Sequence, residues 1–200
     1  MKVKTRFLII FMVVISGLVG ISGLSGYLFY KVNHLKKAED ACNQTLYAFA
    51  NFQRLTSALL YTDTLDDAFL QWREYYDILD SRLGLLYSSS DLQKLLRTEA
   101  QQAMIQAMIA FWHATRPQLD TVEVQVADLL NADNPSRDGL VYQYFDRREY
   151  PTLKARKSVD KASLYLGTEF EAKLSTMIAM VKQAINDQME STVIQIVFVS

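Results

Sequence analysis

The sequence predicts an all-α protein: an up-down-up-down four-helix bundle whose first helix is continuous with an N-terminal transmembrane helix. Three observations predict it. No residue from Phe7 to Tyr30 is charged, and beyond Leu35 apolar residues recur at steps of three and four. Helix breakers are also confined: four of the seven glycines (Gly17, Gly20, Gly23, Gly26) lie in the first apolar run, and the three prolines (Pro117, Pro135, Pro151) fall in the second half. Half of the 200 residues are apolar and 22% are charged, enough for one ordinary core.

Phe7 to Tyr30 would make a helix of roughly 36 Å against a hydrocarbon core of about 30 Å. The run exceeds the apolar stretch of about 7–15 residues in a cleaved signal peptide, so an uncleaved span is expected. Lys2, Lys4, Arg6 and the terminal amine slightly outweigh Lys31, Lys36 and Lys37, which puts the N-terminus inside. Tyr27 and Tyr30 would sit at one membrane interface, ring in lipid and hydroxyl in water. Ser16 with Gly20, and Ser22 with Gly26, have the small-residue spacing of helix contacts within a bilayer.

After Lys31 the stripe Leu35, Ala38, Cys42, Leu46, Phe49, Phe52, Thr56 and Leu60 extends the first helix to about Tyr61. "TDTLDD" supplies a turn, with Thr64 as cap and Asp66 and Asp67 at the positive end of the second helix. Leu65, Phe69, Trp72, Tyr76, Leu79, Leu83 and Leu86 then alternate steps of four and three, the spacing that packs helix on helix. "SSSDLQ" reads as a restart, with Ser90 and Gln93 forming a capping box. A third helix follows over roughly 91–131, with core positions Leu92, Leu96, Ala103, Ala107, Ala110, Ala114, Val122, Val126 and Leu129 and a kink at Pro117. "NADNPSRDG" is a loop by composition, and "LVYQYFDRREYP" reads as a short helix across the bundle end. The last helix starts near Thr152 and carries Phe170, Leu174, Met177, Val181 and Ala184, with a phase break from Leu166 to Phe170.

The expected organisation is therefore residues 1–6 cytoplasmic, 7–30 transmembrane, 31–192 an extracytoplasmic bundle, and 193–200 the start of a second transmembrane helix. "MESTVIQIVFVS" enters an apolar run at Val193, where up-down-up-down connectivity would return the chain to the membrane.

A net charge of −1 gives no general attraction to nucleic acid. Cys42 stands alone and reads as a small buried side chain, and His34 and His113 are too few for haem or zinc, so neither metal nor cofactor is expected. No glycine-rich phosphate loop or nucleophile elbow is present, and the carboxylates of Glu74 and Asp77, or Glu169 and Glu171, read as solvated faces; no enzyme is expected. Recognition chemistry collects elsewhere. Arg54, in "NFQRLT" on helix one, can hold a ligand carboxylate bidentately from a dimer seam. "YQYFDRREY" groups Tyr142, Tyr144, Arg147, Arg148 and Tyr150, planar donors beside aromatic faces near the last connection. Trp72 and Tyr76 are in core phase, with Tyr75 beside the stripe.

With "MKVKTRFLIIFMVV" opening the chain, then a long extramembrane helix, a helical hairpin, a long returning helix and a second span, the sequence resembles the N-terminal sensory half of bacterial chemoreceptors, the methyl-accepting chemotaxis proteins with four-helix ligand-binding domains. The resemblance covers the whole chain and rests on layout. It implies a homodimer paired through helix one, a small-molecule ligand or extracytoplasmic binding protein received away from the membrane, and a signal passed down helix four into the second span. Sensor histidine kinases and membrane-bound nucleotide cyclases use similar input modules. The competing class is a membrane-anchored helical scaffold with no output.

Overall fold

Residues 10–27 of the first helix are all exposed: Phe11 is 56% exposed, Val19 66% and Ile21 64%. The computed structural model describes the backbone of residues 3–96, 98–132, 137–147 and 149–199, with side chains for all of these but 3–9, Ser90, Asp91, Lys94, Arg147 and 193–199. Among the described residues every element is helical. One of them is long and apolar enough to cross a membrane: Ile10–Tyr61 contains a window of mean hydropathy 1.8, with none of that window buried. Of the expected segments, 1–2 and Ser200 lie outside the described residues, as do the side chains of 193–199.

Helix α1 (Val3–Tyr61) runs without interruption from the apolar segment into the packed region, as its lack of prolines and its continuous stripe require. Leu35, Ala38, Cys42, Phe49, Phe52, Thr56 and Leu60 are buried as expected, joined by Leu55 and Leu59; Leu46 is half-buried. Helix α2 (Leu65–Ser88) buries all seven stripe residues from Leu65 to Leu86. Phe52 of α1 meets Trp72 and Tyr76 at ring separations of 5.4 and 5.7 Å, and the Trp72 indole N–H donates to Thr56 Oγ1 at 2.9 Å. That bond satisfies the one polar atom of a fully buried tryptophan.

The restart after α2 departs from expectation. Thr64 precedes α2 but makes no side-chain cap; the Thr62 hydroxyl accepts from the Thr64 amide instead. Ser89, one residue before the expected Ser90, caps the short helix α3 (Ser90–Leu95) by accepting from the Leu92 amide at 3.3 Å. Helix three is thus not continuous from 91: Leu96 leaves helical geometry, and helix α4 (Glu99–Leu130) begins behind a full capping box of Thr98 with Gln101. The Thr98 hydroxyl accepts from the Gln101 amide and the Gln101 side chain accepts from the Thr98 amide, so the box closes eight residues later than the sequence suggested.

A second correction concerns the buried face of α4. Ala103, Ala107, Ala110 and Ala114 are exposed, while Ile105, Met108, Trp112, Thr115, Leu119, Val122 and Val126 are buried. Both stripes have three-four spacing. The larger side chains remove more apolar area from water, at about 25 cal/mol per Å², and so take the core. Pro117 lies on the exposed face of α4 and does not stop the helix. Polar pairs tie α4 to α2: Tyr76 donates to Asp120 at 2.9 Å, Trp112 Nε1 to Asp80 at 2.7 Å, and Arg73 pairs with Glu123 at 2.8 Å.

Helix α5 (Leu140–Arg147) is the expected short helix, packed on α1 and on helix α6 (Tyr150–Tyr165), which starts with Pro151 in its first turn. At the expected phase break, Leu166–Phe170 form a π-helical turn between α6 and helix α7 (Glu171–Val199). Ala162, Leu166, Phe170 and Leu174 are all buried at steps of four, and the wider turn takes up the extra residue that this spacing demands. Phe170 lies against Phe49, Trp112 and Phe111 at 5.2, 5.3 and 6.0 Å, so the turn sits within the aromatic core. α1 packs against α2 and against α6 and α7, and α4 packs against the same partners.

Candidate functional site

Four surfaces merit comparison: the end formed by α5 and the start of α6, the grooves of α4 with α6 and with α7, and the recess where α1 and α7 run together. The α5 end is anchored by backbone bonds. The Gly139 amide donates to Thr62 O and the Leu65 amide to Arg137 O, both at 2.6 Å. A Cβ on Gly139 would lie 2.6 Å from the Leu60 carbonyl oxygen, so only glycine lets the two backbones approach this closely. Leu140 and Val141 then turn inward and fix α5.

This end separates the residues that the sequence grouped. Tyr142 and Tyr150 point outward, 48% and 75% exposed, whereas half-buried Tyr144 lies under Arg156, whose guanidinium carbon is 5.4 Å from the ring centroid. Arg148 and the side chain of Arg147 lie outside the described residues. Arg156 also approaches Phe145 at 6.0 Å and pairs with Asp160 at 3.7 Å, so the cation stacked here is one that the sequence reading missed. Arg54 belongs to a different face. It is exposed on α1 near Tyr75, whose hydroxyl is held above its usual range first by burial, then by Tyr47 and Glu74, with Arg54 opposing.

Between α4 and α6 lies a cavity of about 260 Å³ lined by Gln125, Tyr150, Leu153, Lys154, Lys157, Ser158 and Lys161. Lys154, Lys157 and Lys161 fall at steps of three and four, which sets them along one side of α6. None of the three makes an ion pair among the described residues, since Asp160, the one carboxylate of α6, pairs with Arg156. Across the groove the Gln125 amide oxygen is buried without a hydrogen-bond partner. That oxygen has no contact with solvent, so the polar chemistry the groove presents is that of its three lysines and Ser158. The lysine spacing was legible in "LKARKSVDK", but only packing against α4 identifies Gln125 as its neighbour.

A larger groove of about 510 Å³ lies between α4 and α7, lined by Ala100, Ala103, Met104, Ala107, Met108, Ala172, Lys173 and Thr176. Its one charge, Lys173, already sits 4.6 Å over the Phe111 ring. The α4–α6 groove therefore has the stronger recognition chemistry. At the opposite end, Lys31 of α1 and Ala184, Asp187, Gln188 and Ser191 of α7 line one recess with Leu95, Thr98 and Gln101. The two helices that carry apolar ends are thereby brought side by side. No protein-family model matches the chain, and neither a curated protein nor a solved structure was found to be similar to it.

Proposed function

We propose that the chain is the input module of a bacterial transmembrane signal transducer of the chemoreceptor kind. In this reading residues 7–30 cross the inner membrane, residues 31–192 form an extracytoplasmic up-down-up-down four-helix bundle, and a second span begins at residue 193. Side-chain contacts support the antiparallel order. Arg73, Tyr76 and Asp80 of α2 meet Glu123, Asp120 and Trp112 of α4, and Phe49 and Ser57 of α1 meet Phe170 and Ser163, so numbers fall on one rod as they rise on its neighbour.

The observation that carries the reading is the shared recess of Lys31 and Ser191. There α1 arrives directly from its apolar segment and α7 continues into Val193–Val199 without a break in the helix. A body held by two adjacent stems can report a change at its far end as a relative displacement of those stems. The energetic requirement is that a ligand bind one helix arrangement more tightly than another. The π-helical turn lies on the path from α6 to α7, and such turns are frequent at functional sites.

The module acts as a homodimer through α1. Asp40, Asn43, Tyr47, Ala50 and Arg54 are exposed and follow the three-four steps of a helix-pairing face. Cysteine cross-linking tests the assembly in membranes, in a Cys42→Ala background. Lys31→Cys with Gln188→Cys should close within one chain, and Tyr47→Cys should link two copies. Cross-linking yields at the stem pair that stay constant under every ligand and partner tried would remove the signalling part of the proposal.

A further inference from the structure

We infer that the recess between the two stems binds the headgroup of a membrane phospholipid, and that its chemistry selects phosphoethanolamine, an anionic phosphodiester joined by a short link to a primary ammonium. The proposal adds a lipid ligand to the input module described above and rests on the first span of that reading. The recess, of about 440 Å³, is walled by α1, the start of α4 and α7. That volume falls within the usual range of about 300–1,000 Å³ for a bound small group. Its two charges are opposite and come from different helices. Half-buried Lys31 belongs to α1 and exposed Asp187 to α7, and neither has an ion-pair partner among the described residues. A ligand carrying one charge of each sign neutralises both, whereas a simple anion is repelled by Asp187.

The neutral groups follow the same division. The capping box that opens α4 uses the Thr98 hydroxyl oxygen and the Gln101 amide oxygen as acceptors for backbone amides, each at 3.2 Å. What these two side chains have left to offer the recess is a hydroxyl proton and an amide NH2, which are donors. With the Lys31 ammonium they suit the free oxygens of a phosphodiester. On α7 the Ser191 hydroxyl donates its proton to the Gln188 carbonyl at 3.0 Å, which leaves its oxygen as an acceptor on the same helix as the Asp187 carboxylate. Acceptors of this kind suit the N–H bonds of a primary ammonium, and a trimethylated nitrogen gives them no donor.

Position selects a lipid as the source of this headgroup. Lys31 lies about 1.5 Å along the helix axis beyond Tyr30, the last residue of the expected span, and the polar layer outside the hydrocarbon is roughly 5–8 Å deep. Ser191 and Asp187 stand about 3 and 9 Å along α7 before residue 193. On the membrane side of Lys31, residues 10–27 of α1 are uncharged and exposed throughout, a surface that in a bilayer meets acyl chains. Leu95 and Ala184 carry an apolar lining into the recess itself. A headgroup held by Lys31 and Asp187 bridges α1 to α7, so a displacement of one stem against the other changes its fit.

Native mass spectrometry of the full chain in mild detergent, with equal amounts of dioleoyl phosphatidylethanolamine, phosphatidylcholine and phosphatidylglycerol, tests the site. The ethanolamine lipid should give the dominant adduct. Lys31→Gln should reduce that adduct by about tenfold. Asp187→Asn should reverse the order in favour of phosphatidylglycerol, a gain that a misfolded chain would not show. Lys154→Gln, on the α4–α6 groove, should change nothing. Soluble glycerophosphoethanolamine, which has the same headgroup without acyl chains, should leave the adduct in place when added in large excess. Displacement by it would make the ligand a soluble zwitterion and overturn the lipid assignment. Equal adducts of the three lipids, or adducts indifferent to Lys31→Gln and Asp187→Asn, overturn the site and leave the stem geometry standing. Lipid selectivity that obeys the variants, beside a Lys31→Cys with Gln188→Cys cross-link that never responds, keeps the site and removes the signalling reading instead.

Discussion

Two glycines illustrate how differently one residue type can be constrained. At Gly139 the neighbours of an added Cβ are backbone atoms of Leu60 and Thr62 at 2.6–2.8 Å, which cannot yield without moving the α1–α2 turn. Gly139→Ala is expected to destabilise by about 1–3 kcal/mol in denaturant melts. At Gly167 the nearest atom is Gln53 Nε2 at 3.0 Å, the end of a flexible side chain. Gly167→Ala should therefore change stability by less than about 1 kcal/mol, helix propensity offsetting the small shift of Gln53. Nothing in "NPSRDGLV" distinguishes its glycine from an ordinary loop residue; the close approach exists only once α1 and α5 meet. Burial also acts on titration. Cys42 is pushed from 9.0 to about 11, chiefly by desolvation, with Lys182 opposing and Glu39 adding. Tyr76 goes from 10.0 to about 12, first by burial and then by its bond to Asp120. Both folded values are raised, so the stability they contribute is whole below the unfolded pKa and is lost as pH climbs through the folded one. Melting temperature should fall between pH 9.0 and about 12, and Cys42→Ala should flatten the lower part of that fall. Cys42 should also resist alkylation until the chain unfolds.

At the scale of elements, the buried face of α2 is readable in the sequence, every residue of its stripe being buried, although its expected Thr64 cap is not made. On α4 two stripes compete, and counting alanines as core without weighing their area chose the smaller one. The α2–α4 link was placed one residue late at its first cap and without its second, since Ser89, Ser90 and Thr98 are all competent caps and only chain path selects among them. The phase break at Leu166–Phe170 was legible, because steps of four on either side of it leave no regular helix able to bury both. A π-helical turn holds one residue more than an α-helical path requires. Deleting Gly167 should then convert the turn to α-helix and keep Leu174, Met177 and Val181 in the core, with helicity and cooperative melting retained. Deleting Ala179, outside the turn, should rotate all that follows by about 100° and bring Val181 and Ile185 out of the core. Equal tolerance of the two deletions would show that the turn is not storing the extra residue.

Across the whole molecule, the layout from apolar helix to packed helices is visible in hydropathy alone, because charge is excluded from residues 10–27, the stretch that is exposed throughout. The candidate site was less legible. Arg54 and the α5 tyrosines stand out for their side-chain chemistry, yet they occupy separate faces, while the lysines of α6 border a groove that exists only once α4 packs beside that helix. The proposed reading makes its strongest demand at the stems, since two spans would hold the packed body between them wholly on one side of a membrane. Labelling single cysteines in a Cys42→Ala background with a membrane-impermeant maleimide, in intact cells whose outer envelope is permeable, measures this directly. Cysteines at Tyr142 and Tyr150 should react before lysis and one at Lys4 only after it. Protection of Tyr142→Cys and Tyr150→Cys until lysis would contradict the account.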